Sequence, residues 1–423
     1  MKKIILSVIV LFVTIMSFAQ SLDDINDMMG KFQYREAKAG IDKYLSNPKK
    51  ATEAEAWYYK GRIYNALSRD SLTPASEIYN LKNEAFLAFK QNQVMDKKDV
   101  YLSLETHTSY LDLYYGLYDF GAKEFNNKNF DSAMNAFKKA MEVKDYILEK
   151  KYDYPQTVIN VLDTALILNI AASAIQAKKE DIAIEYYKKI TNARASGADY
   201  KEVYQYIVEY YIKKDDDASL KEILTIAKSV YPGDDYWIDA ELKAVSKKGD
   251  KATLFAKYDE LIAQNPSSFV LPYNYAVEIY NSLYGKDATN AGDATIGNKL
   301  TEIIKKAINN EEKTDITATS LMANHLYNMS ADMLNTSNMI KSTKPDEVKR
   351  KSELKAAANK SMDDCIIYAG NVEHFFEAIP NKTPIQKANY KIALGYLSDI
   401  YSLKKNPVKA AEYEKKNAAA DKL

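Results

Sequence analysis

Cysteine occurs once in 423 residues, at Cys365, so no disulfide can close within one molecule and no cysteine pair can hold a metal. Histidine is nearly as scarce, with His107, His325 and His374 widely separated. Glu373-His374-Phe375-Phe376-Glu377 offers metal-ligand side chains by type. Helical spacing sets its two carboxylates on one face and turns His374 roughly 100° away, so a solvated helix surface is expected there. Cys365 follows Asp363-Asp364 and precedes Ile366-Ile367. Nearby carboxylates disfavour its thiolate, and apolar neighbours suit a small buried hydrophobe. No glycine-rich phosphate loop, Gly-x-Ser-x-Gly elbow or Cys-x2-Cys pair is present. No catalytic residue, metal or cofactor is therefore expected.

Net charge is also missing. Basic and acidic residues number 58 each, which leaves no electrostatic footprint for nucleic acid. Glycine (13) and proline (10) are scarce, while Ala, Lys, Glu and Leu abound, a balance that favours an all-α chain. Some 400 helical residues exceed one compact core, which suits a solenoid.

The one long apolar run comes first. Lys2 and Lys3 precede Ile4–Ile15, interrupted by Ser7 and Thr14, and Ser17-Phe18-Ala19 follows. This is the pattern of a secretory signal peptide cleaved after Ala19, leaving Gln20 as the first mature residue. No cysteine follows the run, which argues against a lipid anchor, and no later segment is apolar enough to span a bilayer. The expectation is a periplasmic or extracellular protein without stable membrane insertion.

Tyrosine, with 34 copies, is abundant, and small and aromatic residues recur in register. In Gly121–Val143, a helix end, a polar turn at Asn126–Asn129 and a second amphipathic helix follow one another. Gly121, Ala133 and Ala140 let two antiparallel backbones approach, and Phe130 and Phe137 fill the space against the neighbouring pair. The pattern resembles the tetratricopeptide repeat (TPR), W-x2-L-G-x2-Y followed by A-x3-F, A and P. That resemblance implies an all-α, TPR-type α-solenoid, a right-handed superhelix of antiparallel helix pairs that binds other proteins.

Related units follow the same register. Tyr34, Ala37 and Ile41 fit a second helix; Trp57, Gly61 and Tyr64 fit a first helix, with Lys60 in the leucine slot, and Ala85 and Phe89 fit its partner. The spacing from Gly61 to Ala85 is twice that from Gly121 to Ala133, so an inserted loop is expected over Arg69–Leu81. A long helix is expected over Tyr101–Tyr118, and a helix start at Tyr154-Pro155. Ala171, Ala183 and Tyr187 mark another unit, and Pro232 and Pro266 stand one repeat length, 34 residues, apart. Gly285–Gly297 reads as a second inserted loop. Thr319–Ile340 and Glu353–Ile379 read as a degenerate pair joined by a charged linker at Lys341–Arg350. Leu394, Leu397, Tyr401, Ala410 and Tyr413 give a last unit. The expected organisation is a leader over 1–19, a solenoid over 20–310 and degenerate repeats with a cap over 311–423. About eight or nine helix pairs are expected.

In TPR proteins the concave wall comes from first-helix residues beside the core positions. Carried over by register, that wall is Tyr58, Tyr59, Arg62 and Asn65, then Tyr115, Tyr118, Asp119 and Asn126, then Asn169. It continues with Gln205, Tyr206 and Glu209, then Tyr273, Asn274 and Tyr280. Tyrosine supplies rigid contact area and Asn or Gln can pair with a peptide backbone, so the expected partners are proteins or peptide segments of the cell envelope. Many of these tyrosines equally suit sealing one repeat against the next. Asp70-Ser71-Leu72 resembles the Asp-(Ser/Thr)-apolar O-glycosylation signal of Bacteroidetes periplasmic proteins, with Ser71 as acceptor. Asp131-Ser132-Ala133 and Asp163-Thr164-Ala165 match it too, inside expected helices. A rival function is carbohydrate or small-ligand capture, resembling the TPR-containing SusD-like binding proteins. The missing lipoprotein cysteine and the chain-long repeats weigh against it.

Overall fold

The computed structural model describes residues 21–420, and the leader read over 1–19 lies outside them. Among the described residues the chain is all-α, with nineteen α-helices, one short 3-10 turn and an isolated bridge between Tyr154 and Thr157. It divides into two compact units, one ending at Asp234 and the other beginning at Asp235. The stretch from 311 onward thus begins inside the second unit.

In the first unit Leu22–Gly30 (α1) pairs with Tyr34–Leu45 (α2), and Ala54–Arg69 (α3) with Ala75–Met95 (α4). The short Val100–Leu104 (α5) follows. Thr108–Asn126 (α6) then pairs with Phe130–Lys150 (α7), Thr164–Gln176 (α8) with Glu180–Asn192 (α9), and Ala198–Lys214 (α10) with Asp217–Val230 (α11). In the second unit Tyr236–Ser246 (α12) pairs with Lys251–Gln264 (α13), and Val270–Tyr284 (α14) with Ala294–Asn309 (α15). Thr317–Met339 (α16) packs on Pro345–Glu377 (α17), and Pro384–Leu403 (α18) on Pro407–Ala420 (α19). Among the described residues, nine hairpins and one extra helix make an α-solenoid.

Small and aromatic side chains meet where the sequence places them. Ala37, Ala85, Ala133, Ala140, Ala171 and Ala183 are fully buried. A β-carbon on Gly121 would stand 2.9 Å from the Phe137 ring, and one on Gly61 would overlap the Phe89 ring. Real β-carbons essentially never come that close, so only glycine allows these backbones their approach.

One backbone device precedes the second helix in seven of the pairs. Two residues before that helix begins stands Phe32, Lys128, Lys178, Asp215, Gly249, Gly292 or Lys405, with φ between 56° and 76°. In five of these the next N–H then donates to the carbonyl five residues back: Gln33 to Met28, Asn129 to Glu124, Lys179 to Ala174, Asp216 to Tyr211 and Asn406 to Tyr401, at 2.8–3.1 Å. This hydrogen bond satisfies a carbonyl at the end of the first helix and fixes the bend. Side chains reinforce several second helices. Asp216 and Asp250 accept from backbone N–H groups of the helices they precede.

Several expectations need correction. The loop read over Arg69–Leu81 is only Asp70–Pro74, because α3 and α4 lengthen to absorb the extra residues. The helix read over Tyr101–Tyr118 breaks at Glu105–His107, where Thr106 and His107 take φ of 51° and 56°. Pro155 starts no helix. It lies in an irregular segment held by Tyr154, whose hydroxyl donates to the His107 carbonyl at 3.0 Å, and by Lys144, which donates to the Val161 carbonyl at 2.9 Å. The second loop ends earlier than read, since Asp293 accepts from Thr295 and Ile296 and α15 begins at Ala294. Lys341–Arg350 is a linker only through Lys344, because Pro345 opens α17, which then runs 33 residues.

Candidate functional site

In the first unit a groove of about 640 Å³ opens beside α1, α3 and the start of α6. Arg62, Asn65 and Arg69 stand at i, i+3 and i+7 on α3 and so share one face. Glu105, Ser109 and Asp112 face them from the start of α6 and the turn before it, and Lys31 closes the α1 side. Most of these charges are already engaged. Arg69 pairs with Asp112 at 3.1 Å, Glu105 accepts from Tyr58 at 3.3 Å and from Ser109, and Arg62 lies 5.6 Å above the Tyr58 ring. The surface is polar and pre-organised, suited to hydrogen-bonding an extended chain.

The wall residues read from the sequence fall into distinct roles. Arg62 and Asn65 line this groove together. Tyr58 seals. Its ring packs against Phe89, Tyr101 and Tyr59, and burial raises its pKa. Tyr118 rests edge-on against Phe137 and its hydroxyl accepts from Asn169 at 2.8 Å, so this pair joins α6 to α8. Tyr206 packs on Tyr187, and the Tyr280 hydroxyl accepts from Asn328 at 2.8 Å. Gln205 and Glu209 are half-buried on α10. Tyr115, Asp119, Asn126 and Asn274 are exposed. Tyr273, stacked on Phe269, lines a separate hollow of about 370 Å³ in the second unit with Asp315, Asn324 and Phe375.

Ser71 is exposed in the Asp70–Pro74 turn, beside Leu72 at 82% exposure, and Asp70 accepts from the Leu72 N–H at 3.0 Å. Ser132 lies in the first turn of α7, and Thr164 is the first residue of α8.

The Glu373–Glu377 face is not freely solvated. Glu373 is buried, and Lys416 of α19 bridges it at 2.5 Å and Glu377 at 3.0 Å, which ties the last helix down. His374 is exposed. Cys365 is fully buried and its thiol donates to the Ala323 carbonyl at 3.3 Å. Burial, rather than nearby carboxylates, pushes its pKa up to about 12. Among the described residues no group of three His, Cys, Asp or Glu side chains is placed to hold a metal, and no helix is long and apolar enough to cross a membrane.

Of this region, sequence reasoning passed over Lys31, Arg69, Glu105, Ser109 and Asp112 of the groove and, beneath it, Lys82. It lies under the groove, 2% exposed, with Asn65 Oδ1 3.5 Å from its Nζ. The available signal was its register. Lys82 precedes Ala85 and Phe89 by three and seven residues, which sets a lysine in the core stripe of α4.

No family model and no curated protein matches the chain. Solved structures found similar include a monomeric mutant of IFIT1 with Gppp-AAAA, 13% identical over 93% of this chain and 79% of that one, TM-score 0.19. The apo form of the quorum sensor NprR from B. thuringiensis is 10% identical over 94% and 97%, TM-score 0.16. A circular tandem repeat protein with novel repeat topology is 11% identical over 94% and 87%, TM-score 0.18. Likeness at this level carries nothing about function, and the fold rests on the helices themselves.

Proposed function

We propose that this chain is an exported, TPR-type scaffold that holds other polypeptides of the cell envelope without making or breaking bonds. One observation carries the reading: exposed Arg62 and Arg69, with buried Asn65 between them on a single register row of α3, line an open groove beside α6. Backbone groups of an extended partner segment would meet Asn65, Ser109 and the guanidinium groups there, and Tyr58 would keep the wall rigid behind them. Export to the periplasm is proposed from the basic start, the apolar run and Ser17-Phe18-Ala19, and the TPR assignment from the small-aromatic register.

The test uses side chains that seal nothing. A photo-crosslinking amino acid at Arg62 or Tyr115 in intact cells is expected to give discrete higher-mass adducts, and one at exposed Ile385 or Leu403 is not. Equal adduct patterns at all four positions would overturn the groove reading. N-terminal sequencing of the exported protein is expected to begin at Gln20; a retained Lys2-Lys3 start would overturn export by cleavage.

A further inference from the structure

Lys82 has no evident structural reason to be a lysine. Its side chain leaves α4 within the stripe of Leu81, Ala85 and Phe89, all buried, and ends between α3 and α6. Asn65 Oδ1, at 3.5 Å, is its one hydrogen-bond partner, and among the described residues no carboxylate forms an ion pair with it. The charged groups around the ammonium are Arg69, Asp112, Asp119 and Lys123, and Asp112 is engaged by Arg69 at 3.1 Å. Burial drives its pKa down to about 8.

Gly116 of α6 makes the position possible. A β-carbon there would overlap the Lys82 Nζ, so the ammonium occupies the space that a side chain on α6 would fill. Gly116 is itself partly exposed and stands one turn beyond Asp112 of the groove, so the backbone beside the ammonium is open to solvent. A buried cation without an ion-paired carboxylate is costly, and an apolar side chain of similar length would be tolerated or better. Groove acids and bases otherwise balance: Lys31, Arg62 and Arg69 against Asp27, Glu105 and Asp112. The surplus charge is the ammonium beneath.

We infer that Lys82 is the anion-recognition point of this groove and receives an aspartate or glutamate side chain from an extended partner segment. The inference rests on the groove reading above and adds the chemistry of what the groove selects. A carboxylate seated against Gly116 comes within reach of Nζ, accepts a charge-assisted hydrogen bond in a water-poor setting, and supplies the direct ion pair that Asp112 and Asp119 do not make. Glutamine in the same place offers no charge, so the groove discriminates acid from amide.

A random-peptide phage library panned on the mature chain tests this. Four proteins are compared: wild type, Lys82→Met, Gly116→Ala and, as a control on the same helix outside the groove, Lys90→Met. Wild type and Lys90→Met are expected to enrich segments with an acidic residue at one fixed position, a preference lost in Lys82→Met and weakened in Gly116→Ala. For a synthetic enriched peptide, Glu→Gln is expected to weaken binding roughly tenfold or more on wild type and less than about twofold on Lys82→Met. Lys82→Met is expected to melt no lower than wild type, which separates recognition from folding. No enrichment on wild type would overturn the groove reading itself. Enrichment without an acidic preference, or one that persists in Lys82→Met, would overturn the role of Lys82 and leave the groove reading standing. A marked fall in Tm for Lys82→Met would assign the lysine to the fold and overturn the inference.

Discussion

The two units lock their helices by different means. In the first, aromatic rings rest on bare backbone, Phe89 on Gly61 and Phe137 on Gly121, so tightly that no β-carbon fits. In the second, the helix glycines have room. Nothing lies within 4 Å of a β-carbon on Gly370, and Gly297 would meet only Met329 and His325 at 3.8 and 3.9 Å. Contact there comes from stacked tyrosines, Tyr258 on Tyr275 with centroids 4.8 Å apart and Tyr327 on Tyr396 at 4.1 Å, and from a buried histidine. The same residue type is therefore obligatory at Gly61 and Gly121 and incidental at Gly297 and Gly370. Only the neighbouring side chain distinguishes the two.

The histidine gives the largest expected effect. His325 is held between the Tyr284 hydroxyl at 3.1 Å and the Thr301 hydroxyl at 2.8 Å, and burial lowers its pKa from 6.5 to about 4. Between those values the unfolded chain binds the extra proton and the folded one does not. The contribution is complete above about pH 6.5 and is lost as pH falls toward 4, a change of roughly 3 kcal/mol. Hydrogen-exchange protection of α14–α16 at pH 7 and pH 4.5 measures it. His325→Gln should flatten the difference, and an unchanged difference would remove His325 as its source.

Next in size is the glycine contrast. Gly61→Ala should cost about 2–3 kcal/mol in urea unfolding, because Phe89 is fully buried and cannot retreat. Gly121→Ala should cost less, about 1–2 kcal/mol, since the clash with the Phe137 ring at 2.9 Å is shallower than that at Gly61. Smallest, and opposite in sign, Gly370→Ala should stabilise by about 0.5–1 kcal/mol, replacing a mid-helix glycine where space is open. Equal losses at Gly61 and Gly370 would erase the distinction between the units.

Much of this was legible in the sequence, and the rest has identifiable causes. The helix hairpins and the small-aromatic contacts followed from spacing at Gly61, Gly121, Ala133 and Phe137, because those contacts recur at fixed intervals along the chain. The break at Glu105–His107 was hidden, since Thr106 and His107 adopt left-handed backbone without a glycine to announce it. The extra residues before Ala85 suggested a loop because spacing alone does not tell longer helices from an insertion. Of the wall positions, Arg62 and Asn65 could be placed by register. Whether Tyr58 or Tyr118 seals or binds depends on partners from other helices, Tyr101 and Asn169, that no local pattern encodes.

The recurring left-handed turn has a consequence for how the chain comes together. The hydrogen bond that closes it joins residues only five apart, so it can form before any distant contact exists. Each reversal is written in neighbouring residues, and a pair of helices emerging during synthesis already carries its own fold-back. Assembly then becomes a matter of adding finished hairpins, one after another, to those already in place.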